Sequence, residues 1–579
     1  MQRRLFIGAG ALLTAIYLVL LIAWAYASPT FRTPDAPMHY NSVMRLANGG
    51  GWPAPGEATL DPDVLTVAIE GGLVPPGAPD VGISHFYRLD GGLIYGNGTR
   101  LADVDPLPEH ERTVPRFAGE GSVGVDQMTQ HPPLYYGLAA GYLTVLGADT
   151  WQWDGQLLAL RILSALMVVW VVPTAIATAR LLGLDRRLAL AAGAAVFAIP
   201  QLAHIGSAVS NDSLYILAGA LLTVVCAKVA TTAPRKRDIL LVGALLGLGL
   251  WTKATFFPFG LIAGLAFLVS PGPMSRARKL VYGVLAGLTG LLIGGYWWAR
   301  NLVLYGTLQP AGFPNEATDW AGREPDPLAF LRTALGDLAG SFWGKFGWLE
   351  LPMPATLLVG LTAIAVALAA AGFAAARGRR AALVTLTLVV PVIVVILLVQ
   401  AWLNHLHTGN VAGMQGRYLF PAVPALAALA AWGIASLRRV GRWAARAGGA
   451  LLSIAAPLLG LYGLWLMLRA AYPAESLLGI SWIRWDAWSI AAGSTLKIWV
   501  GLAVLGSAVI MVAGVALAAG RRGDMSAVPS RQLPFRQVPL RGRQAAVPSE
   551  RAGEMSPGSP REVQEERPSG QSDTPSEGA

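Results

Sequence analysis

The chain has little cysteine, little charge and no soluble nucleotide-site signature. Its 579 residues include one cysteine, Cys226, and only 13% charged residues against 54% hydrophobic ones. A single cysteine excludes a disulfide framework within the chain. So low a share of charge excludes an ordinary soluble globular protein. No Walker A motif is present, and no Rossmann glycine fingerprint sits on a strand–helix pattern. No repeat of the solenoid type is found. No two halves carry matching interrupted spans, the usual pointer to an inverted-repeat transporter.

What fills the chain is apolar runs of about 20 residues, each long enough for a hydrocarbon core of about 30 Å. The N-terminus begins like a signal peptide, with Arg3 and Arg4, but its apolar part is too long and reads as an uncleaved first span over 5–27. Later runs fall near 160–180, 187–204, 212–231, 238–253, 255–270, 279–302, 353–376, 381–403, 417–437, 447–470 and 494–519. The patch at 132–147 is shorter, which favours an interfacial or re-entrant helix. If it does not cross, every basic cluster between runs lies inside, from Arg180/Arg186/Arg187 to Arg438/Arg439/Arg442/Arg446 and Arg521/Arg522. The same placement explains the net charge of +10 without nucleic acid. The expectation is an all-α polytopic membrane protein of about twelve spans, both ends cytoplasmic, with a large first extracytoplasmic loop. Its parts are a first span (1–27), an extracytoplasmic loop with juxtamembrane helices (28–158), a polytopic domain (159–519) and a cytoplasmic tail (520–579). The tail is rich in Pro, Ser, Arg, Gln and Glu and is expected to be disordered.

Polar groups that break the orientation pattern carry the chemistry. Phe31 to Tyr40 reads FRTPDAPMHY, with Asp35 between two prolines just beyond the first span. Prolines make this a shaped loop, and an acid held at a membrane surface suits a general base; the plain alternative is a solvated helix exit. Asp212, in HIGSAVSNDSLY, opens another outer end, although Asn211-Asp212-Ser213 also reads as a helix N-cap. His39 follows Asp35 by four residues and shares its face if the segment is helical. Gln130 and His131 start the patch at 132–147. Lys253, Arg300 and Arg417 stand at outer ends of spans, where three cations suit a phosphate; the alternative for each is snorkelling. His39, His85, His131, His405 and His407 are all outside, and none of their spacings forms a specific metal motif.

Taken in order, PDAPMHY, QHPPLYY, SNDSLY, WTKATF, SFWGKFGWL and QGRYLFP resemble the GT-C superfamily of membrane glycosyltransferases. That superfamily includes protein O-mannosyltransferases, lipid A aminoarabinose transferases and oligosaccharyltransferase subunits. The order is most similar to that of an uncharacterised bacterial branch of predicted integral membrane proteins. The likeness spans about residues 1–470. It departs where many relatives have Asp-Glu and this chain has Asp35-Ala36, which leaves the second acid's role open.

The resemblance implies a glycosyltransferase of the cell membrane, active on the extracytoplasmic face. It would take a sugar from a polyprenyl-phosphate donor to an envelope glycan, lipid or protein. Asp35 would deprotonate or orient the acceptor hydroxyl, with His39 and Asp212 in support. Lys253, Arg300 and Arg417 would bind the donor phosphate, with Gln130 and His131 also binding substrate. No cofactor is implied with certainty, and a divalent metal is left open. The competing readings are a transporter or flippase for a lipid-linked or anionic substrate, and a non-catalytic envelope partner protein.

Overall fold

Proline, aspartate and glycine decide where the helices of this chain begin and end. The computed structural model describes residues 3–76, 86–89, 101, 104–117, 121–312, 317, 318, 320, 324–490 and 494–519. The tail and His85 lie outside the described residues. The first helix, Arg3–Ala27, is followed by Ala36–Ala47, whose first turn carries Pro37. Asp61 caps Pro62–Glu70 through the Asp63 amide, and Asp326 caps Pro327–Trp343 through the amides of Leu328 and Ala329. Both are aspartate–proline starts, a side-chain cap followed by a residue pre-set for the first turn. The first lies within the extracytoplasmic loop expected over 28–158 and the second between the runs near 279–302 and 353–376. The Asp-Pro pairs were the signal that could have revealed them.

Among the described residues, nine helices are long and apolar enough to cross a bilayer, or ten if one bent pair is counted as a span. That pair, Arg186–Ala198 and Pro200–Gly206, turns by 71° at Pro200. Helices stand at all of the expected places, but the count of twelve is not reached on length. Lys236–Leu250 has 15 residues, and Ala254–Leu268 is likewise a shorter apolar helix. They are short because the chain breaks at Thr252 and Lys253, where Gly249 lets the Phe256 ring lie against the preceding helix. The run at 279–302 is also divided, at Gly294 and Gly295. The last-but-one span is longer than expected, Arg442–Ala471, so Arg442 and Arg446 belong to the helix itself. Leu134–Leu146 has 13 residues, roughly 20 Å at 1.5 Å per residue, short of a crossing.

The spans share one large apolar core, while the segment after the first span builds a second. In that second core Tyr40, Val43 and Met44 meet Val64 and Val67, and Tyr135, Tyr136 and Trp153 close it. Asp126 ties it together, accepting from Asn41 and Ser42 at 2.7 Å, from Arg45 at 3.2 Å and from the Met128 amide at 2.9 Å. Burial raises the Asp126 carboxyl above its ordinary range, and Arg45 opposes that rise. The helix Ala36–Ala47 is thereby set against Leu134–Leu146.

Candidate functional site

The site grows from breaks between helices, where backbone and side chains leave the regular ladder. The first break is residues 28–35. Phe31 and Asp35 both adopt left-handed backbone, with φ of 55° and 62°. Asp tolerates this region, but for a bulky Phe it is strained. Several contacts hold it. Trp348 Nε1 donates to the Phe31 carbonyl at 2.7 Å, and His204 Nε2 lies 3.0 Å from the Arg32 carbonyl. Arg161, buried, donates to the carbonyls of Ala25 and Ser28 at 2.7 Å and of Pro29 at 2.8 Å. A guanidinium at the carboxyl end of a helix satisfies carbonyls that have no partner there. The hairpin that carries Trp348 pairs Lys345 with Pro352 and Phe346 with Leu351. SFWGKFGWL is thus a clamp on the loop of Asp35, a role invisible in the sequence because Trp348 and Phe31 are so far apart along the chain.

Asp35 is held on both carboxylate oxygens. Gln127 Nε2 donates to Oδ1 at 3.3 Å, and Arg417 Nη2 donates to Oδ2 at 3.0 Å. Its side chain keeps 29% of its exposure, so it remains reachable. Arg417 sits on the first turn of the short helix Gly416–Ala422. Gly416 is required beside it, since a Cβ there would lie 2.3 Å from the Phe342 amide nitrogen. The Gly416 amide in turn donates to Ser341 Oγ at 2.8 Å.

Asp212 is fully buried and takes three partners. Lys253 Nζ donates to Oδ1 at 2.6 Å, Arg417 Nη1 lies 3.3 Å from Oδ2, and Ser210 Oγ donates to Oδ2 at 3.2 Å. The helix Asp212–Thr231 has Asn211 at its N-cap with no side-chain cap bond. Asp212 therefore does not act as a helix cap, because its carboxylate is turned to the cations. Lys253 lies 5.6 Å from the ring centre of Tyr418, and the Arg417 guanidinium lies 5.7 Å from it.

His39 joins this network from the other side. The segment is helical, as the four-residue spacing from Asp35 requires, yet the imidazole turns to other partners. Its Nδ1 lies 2.9 Å from Tyr136 Oη and its Nε2 lies 3.3 Å from Ser210 Oγ. Burial, reinforced by Lys253, holds its pKa well below the usual histidine value, so the ring is neutral at pH 7. His131 is held low in the same way, by burial and then by Lys253 and His39. The electrostatic reach of Lys253, Asp212 and Asp35 marks His131 as a neighbour of the network, and its Nδ1 is buried without a partner among the described residues. Gln130 Oε1 accepts from Gln309 Nε2 at 3.2 Å.

Arg300 stands apart. Its guanidinium lies 5.1 Å from the Trp297 ring and 5.7 Å from the Tyr305 ring, and it donates to Asn301 at 3.2 Å. No contact among the described residues brings it to Asp35 or Asp212. His405 lies against Trp320, Phe330 and Trp402. Among the described residues no group of three or more His, Cys, Asp and Glu side chains is arranged to hold a metal ion.

Sequence reasoning missed Gln127, Ser210, Tyr136 and Arg161. Ser210 was visible, two residues before Asp212, as an oxygen able to cap the same helix start. Nothing in the sequence marks Arg161, which looks like a charge stranded in a span. The segments that carry the charged groups also hold buried polar atoms without a hydrogen-bond partner among the described residues. Both amide atoms of Asn211, Ser213 Oγ, Thr255 Oγ1 and Gln415 Oε1 are among them. An unpaired buried polar group costs about 1–3 kcal/mol, so such a concentration is typical of a site that binds something polar.

Two kinds of solved membrane protein are similar in structure at low identity. ArnT from Cupriavidus metallidurans, bound to undecaprenyl phosphate, matches with a TM-score of 0.42 and 14% identity, over 88% of this chain and 76% of that one. The oligosaccharyltransferase of Archaeoglobus fulgidus in its apo form matches with a TM-score of 0.42 and 12% identity, over 82% of this chain and 57% of that one. Both are membrane glycosyltransferases of the GT-C fold. No curated protein matches the sequence. A family model described as a predicted membrane protein (DUF2142) matches residues 18–426, which include Asp35, Asp212, Lys253 and Arg417, and the chain belongs to that family.

Proposed function

We propose that the chain is a membrane glycosyltransferase that moves a sugar from a polyprenyl-phosphate donor to a hydroxyl of a cell-envelope acceptor, on the extracytoplasmic face. One observation carries the proposal: Arg417 bridges the carboxylates of Asp35 and Asp212 beside Lys253. Two acids and two cations from four distant segments meet at helix breaks, and one of the acids is still open to solvent. A purely structural buried ion network has no need of that open carboxylate.

The arrangement acts as an exchange. With no substrate, the Arg417 guanidinium and Asp35 satisfy one another. A donor phosphate competes for Arg417 and Lys253, with the guanidinium offering two parallel donors. As Arg417 turns to the phosphate, Asp35 Oδ2 is released to accept the hydroxyl of the acceptor. The acceptor oxygen then bonds to the anomeric carbon as the bond from that carbon to the phosphate oxygen breaks. The bonding pair leaves with the polyprenyl phosphate, and the hydroxyl proton passes to Asp35. Lys253 and Arg417 stabilise the charge that develops on the leaving oxygen.

The remaining residues position these four. Gln127 fixes the second oxygen of Asp35. Neutral His39 acts through Ser210 on Asp212, and Asp212 sets where Lys253 and Arg417 point. Gln130 and His131, at the start of the helix Leu134–Leu146, border the acceptor side. Arg300 would serve a more distant part of a substrate, held between Trp297 and Tyr305.

The test is transfer of isotope-labelled sugar from a polyprenyl-phosphate donor in membranes that contain the full chain. Wild type is expected to transfer label, and Asp35→Asn to lose the transfer while accumulating at normal level. Movement of a lipid-linked substrate across the membrane with no transfer to any acceptor would replace this reading with a transporter.

A further inference from the structure

Along the amino-terminal half of the first helix lies a cavity that the proposed reaction does not use. Its volume is about 510 Å³, within the range of small-molecule sites. Leu12, Leu13 and Ile16 of the first helix, Leu190 and Ile510 form apolar walls. Four arginines line it as well: Arg187, Arg438, Arg442 and Arg446. Leu13 precedes the end of that helix at Ala27 by fourteen residues, about 21 Å along the axis. The cavity thus lies along the amino-terminal half of the helix, away from Asp35.

The charges are not balanced within the chain. The one acid among the lining residues, Asp185, is engaged by Arg438 and also caps the helix Arg186–Ala195. Arg187, Arg442 and Arg446 have no ion-pair partner among the described residues. Arg442 and Arg446 are one helical turn apart on the same face. Beyond them on their helix come Gly449, Ala450 and Ser453, small residues that leave room where larger ones would close it. Gly514, on the final helix Ser494–Ala519, faces this stripe, and a Cβ there would lie 2.5 Å from the Ser453 side chain.

We propose that this cavity binds an anionic phospholipid, with its phosphate on Arg442, Arg446 and Arg187 and its acyl chains against the apolar walls. The occupant is a lipid rather than a free anion because the arginines lie in the first turns of their helices while most of the other lining residues are apolar. Leu12, Leu13, Ile16 and Ile510 lie deeper in spans and suit hydrocarbon. Guanidinium groups take phosphate oxygens in pairs, and basic pockets between spans are a known way to hold lipid head groups.

The experiment uses the full chain purified in detergent, titrated with phosphatidylglycerol, phosphatidylcholine and inorganic phosphate, with binding read by native mass spectrometry and by thermal midpoint. Phosphatidylglycerol is expected to bind and to raise the midpoint, while the other two do neither. Arg442→Gln/Arg446→Gln is expected to weaken phosphatidylglycerol binding by about ten-fold or more, since both charge-assisted contacts are lost. Ala194 also lines the cavity, and Ala194→Leu, which narrows its apolar part, is expected to weaken binding with the arginines intact. Equal binding of phosphatidylcholine, a midpoint shift reproduced by inorganic phosphate, or an unchanged affinity in the arginine variant would each overturn the proposal. Should Ala194→Leu not fold, the arginine variant decides alone, because Arg442 is exposed and Arg446 half-buried.

Discussion

The two ends of the first helix use cations in opposite ways. Near its carboxyl end, Lys253 and Arg417 keep only 6% of their side-chain exposure and are bonded to carboxylates. Near its amino end, Arg187 and Arg442 are exposed, Arg446 is half-buried, and none has an ion-pair partner among the described residues. Arginines in short connections follow from the orientation rule alone. Buried cations do not, since removing charge from water is costly unless a partner and hydrogen bonds offset it. Burial against carboxylates marks Lys253 and Arg417 as parts of one network within the chain, whereas the arginines at the amino end are left free for the lipid phosphate proposed above.

That contrast can be broken most directly at Asp35. Asp35→Asn should lower the rate of sugar transfer by about 10²- to 10⁴-fold, the usual effect of removing a general base. Its thermal stability should stay close to wild type, because the side chain is partly open. A full-rate Asp35→Asn enzyme would move the base to Asp212.

Removing a buried partner should cost stability as well as activity. Arg417→Ala leaves two carboxylates without their shared guanidinium, and Lys253→Ala leaves Asp212 with one cation. Each should destabilise the protein by about 3–5 kcal/mol, measured by denaturation in detergent or bilayers. The double variant should lose less than the sum of the two, since they share Asp212. Additive losses would mean that the cations do not act on one carboxylate.

The histidines supply a pH arm. His39 and His131 are held neutral by burial, so their folded pKa values lie below the unfolded value of about 6.5. The unfolded chain then binds more protons in acid. Stability is therefore present above about pH 6.5 and falls as the pH drops toward the lowered folded values. His39→Gln should flatten that loss, while keeping a hydrogen-bonding group for Tyr136 or Ser210. An unchanged acid profile would show that His39 is not held neutral.

The smallest effect belongs to the amino end. Arg442→Gln/Arg446→Gln should change stability in the absence of lipid by no more than about 0.5 kcal/mol, as for ordinary surface substitutions. Sugar transfer should be unaffected. A loss comparable to that of Arg417→Ala would erase the distinction between the two ends.

Much of the site could be read along the chain, but not its connections. Asp35, Asp212, Lys253 and Arg417 each stood out as charged residues at the wrong end of an apolar run, and the fold brings them together. Arg300 stood out by the same criterion, and the fold keeps it among its own aromatic neighbours. The criterion measures depth in the membrane, and depth is shared by every residue at one end of a bundle. It says nothing of position around the bundle. Ser210, Gln127 and Arg161 were overlooked because polar residues near the ends of spans have many harmless explanations. The helices Pro62–Glu70 and Pro327–Trp343 were hidden by loop-like composition, although Asp61-Pro62 and Asp326-Pro327 marked their starts.

By itself the amino-acid sequence determined that this is a helical membrane protein, because hydropathy and segment length are properties of contiguous residues. It also determined where Asp35 lies relative to the first span, since that depends only on counting. The tertiary structure decided that Arg417 bridges Asp35 and Asp212, that His39 reaches Asp212 through Ser210, and that the Trp348 hairpin clamps the strained loop. Each of these joins segments about 100 to 400 residues apart, as between Asp35 and Arg417 at a separation of 382. Contacts of that range are set by how helices pack side by side, which depends on the shape of every interface between them and leaves no periodic trace in any one of them.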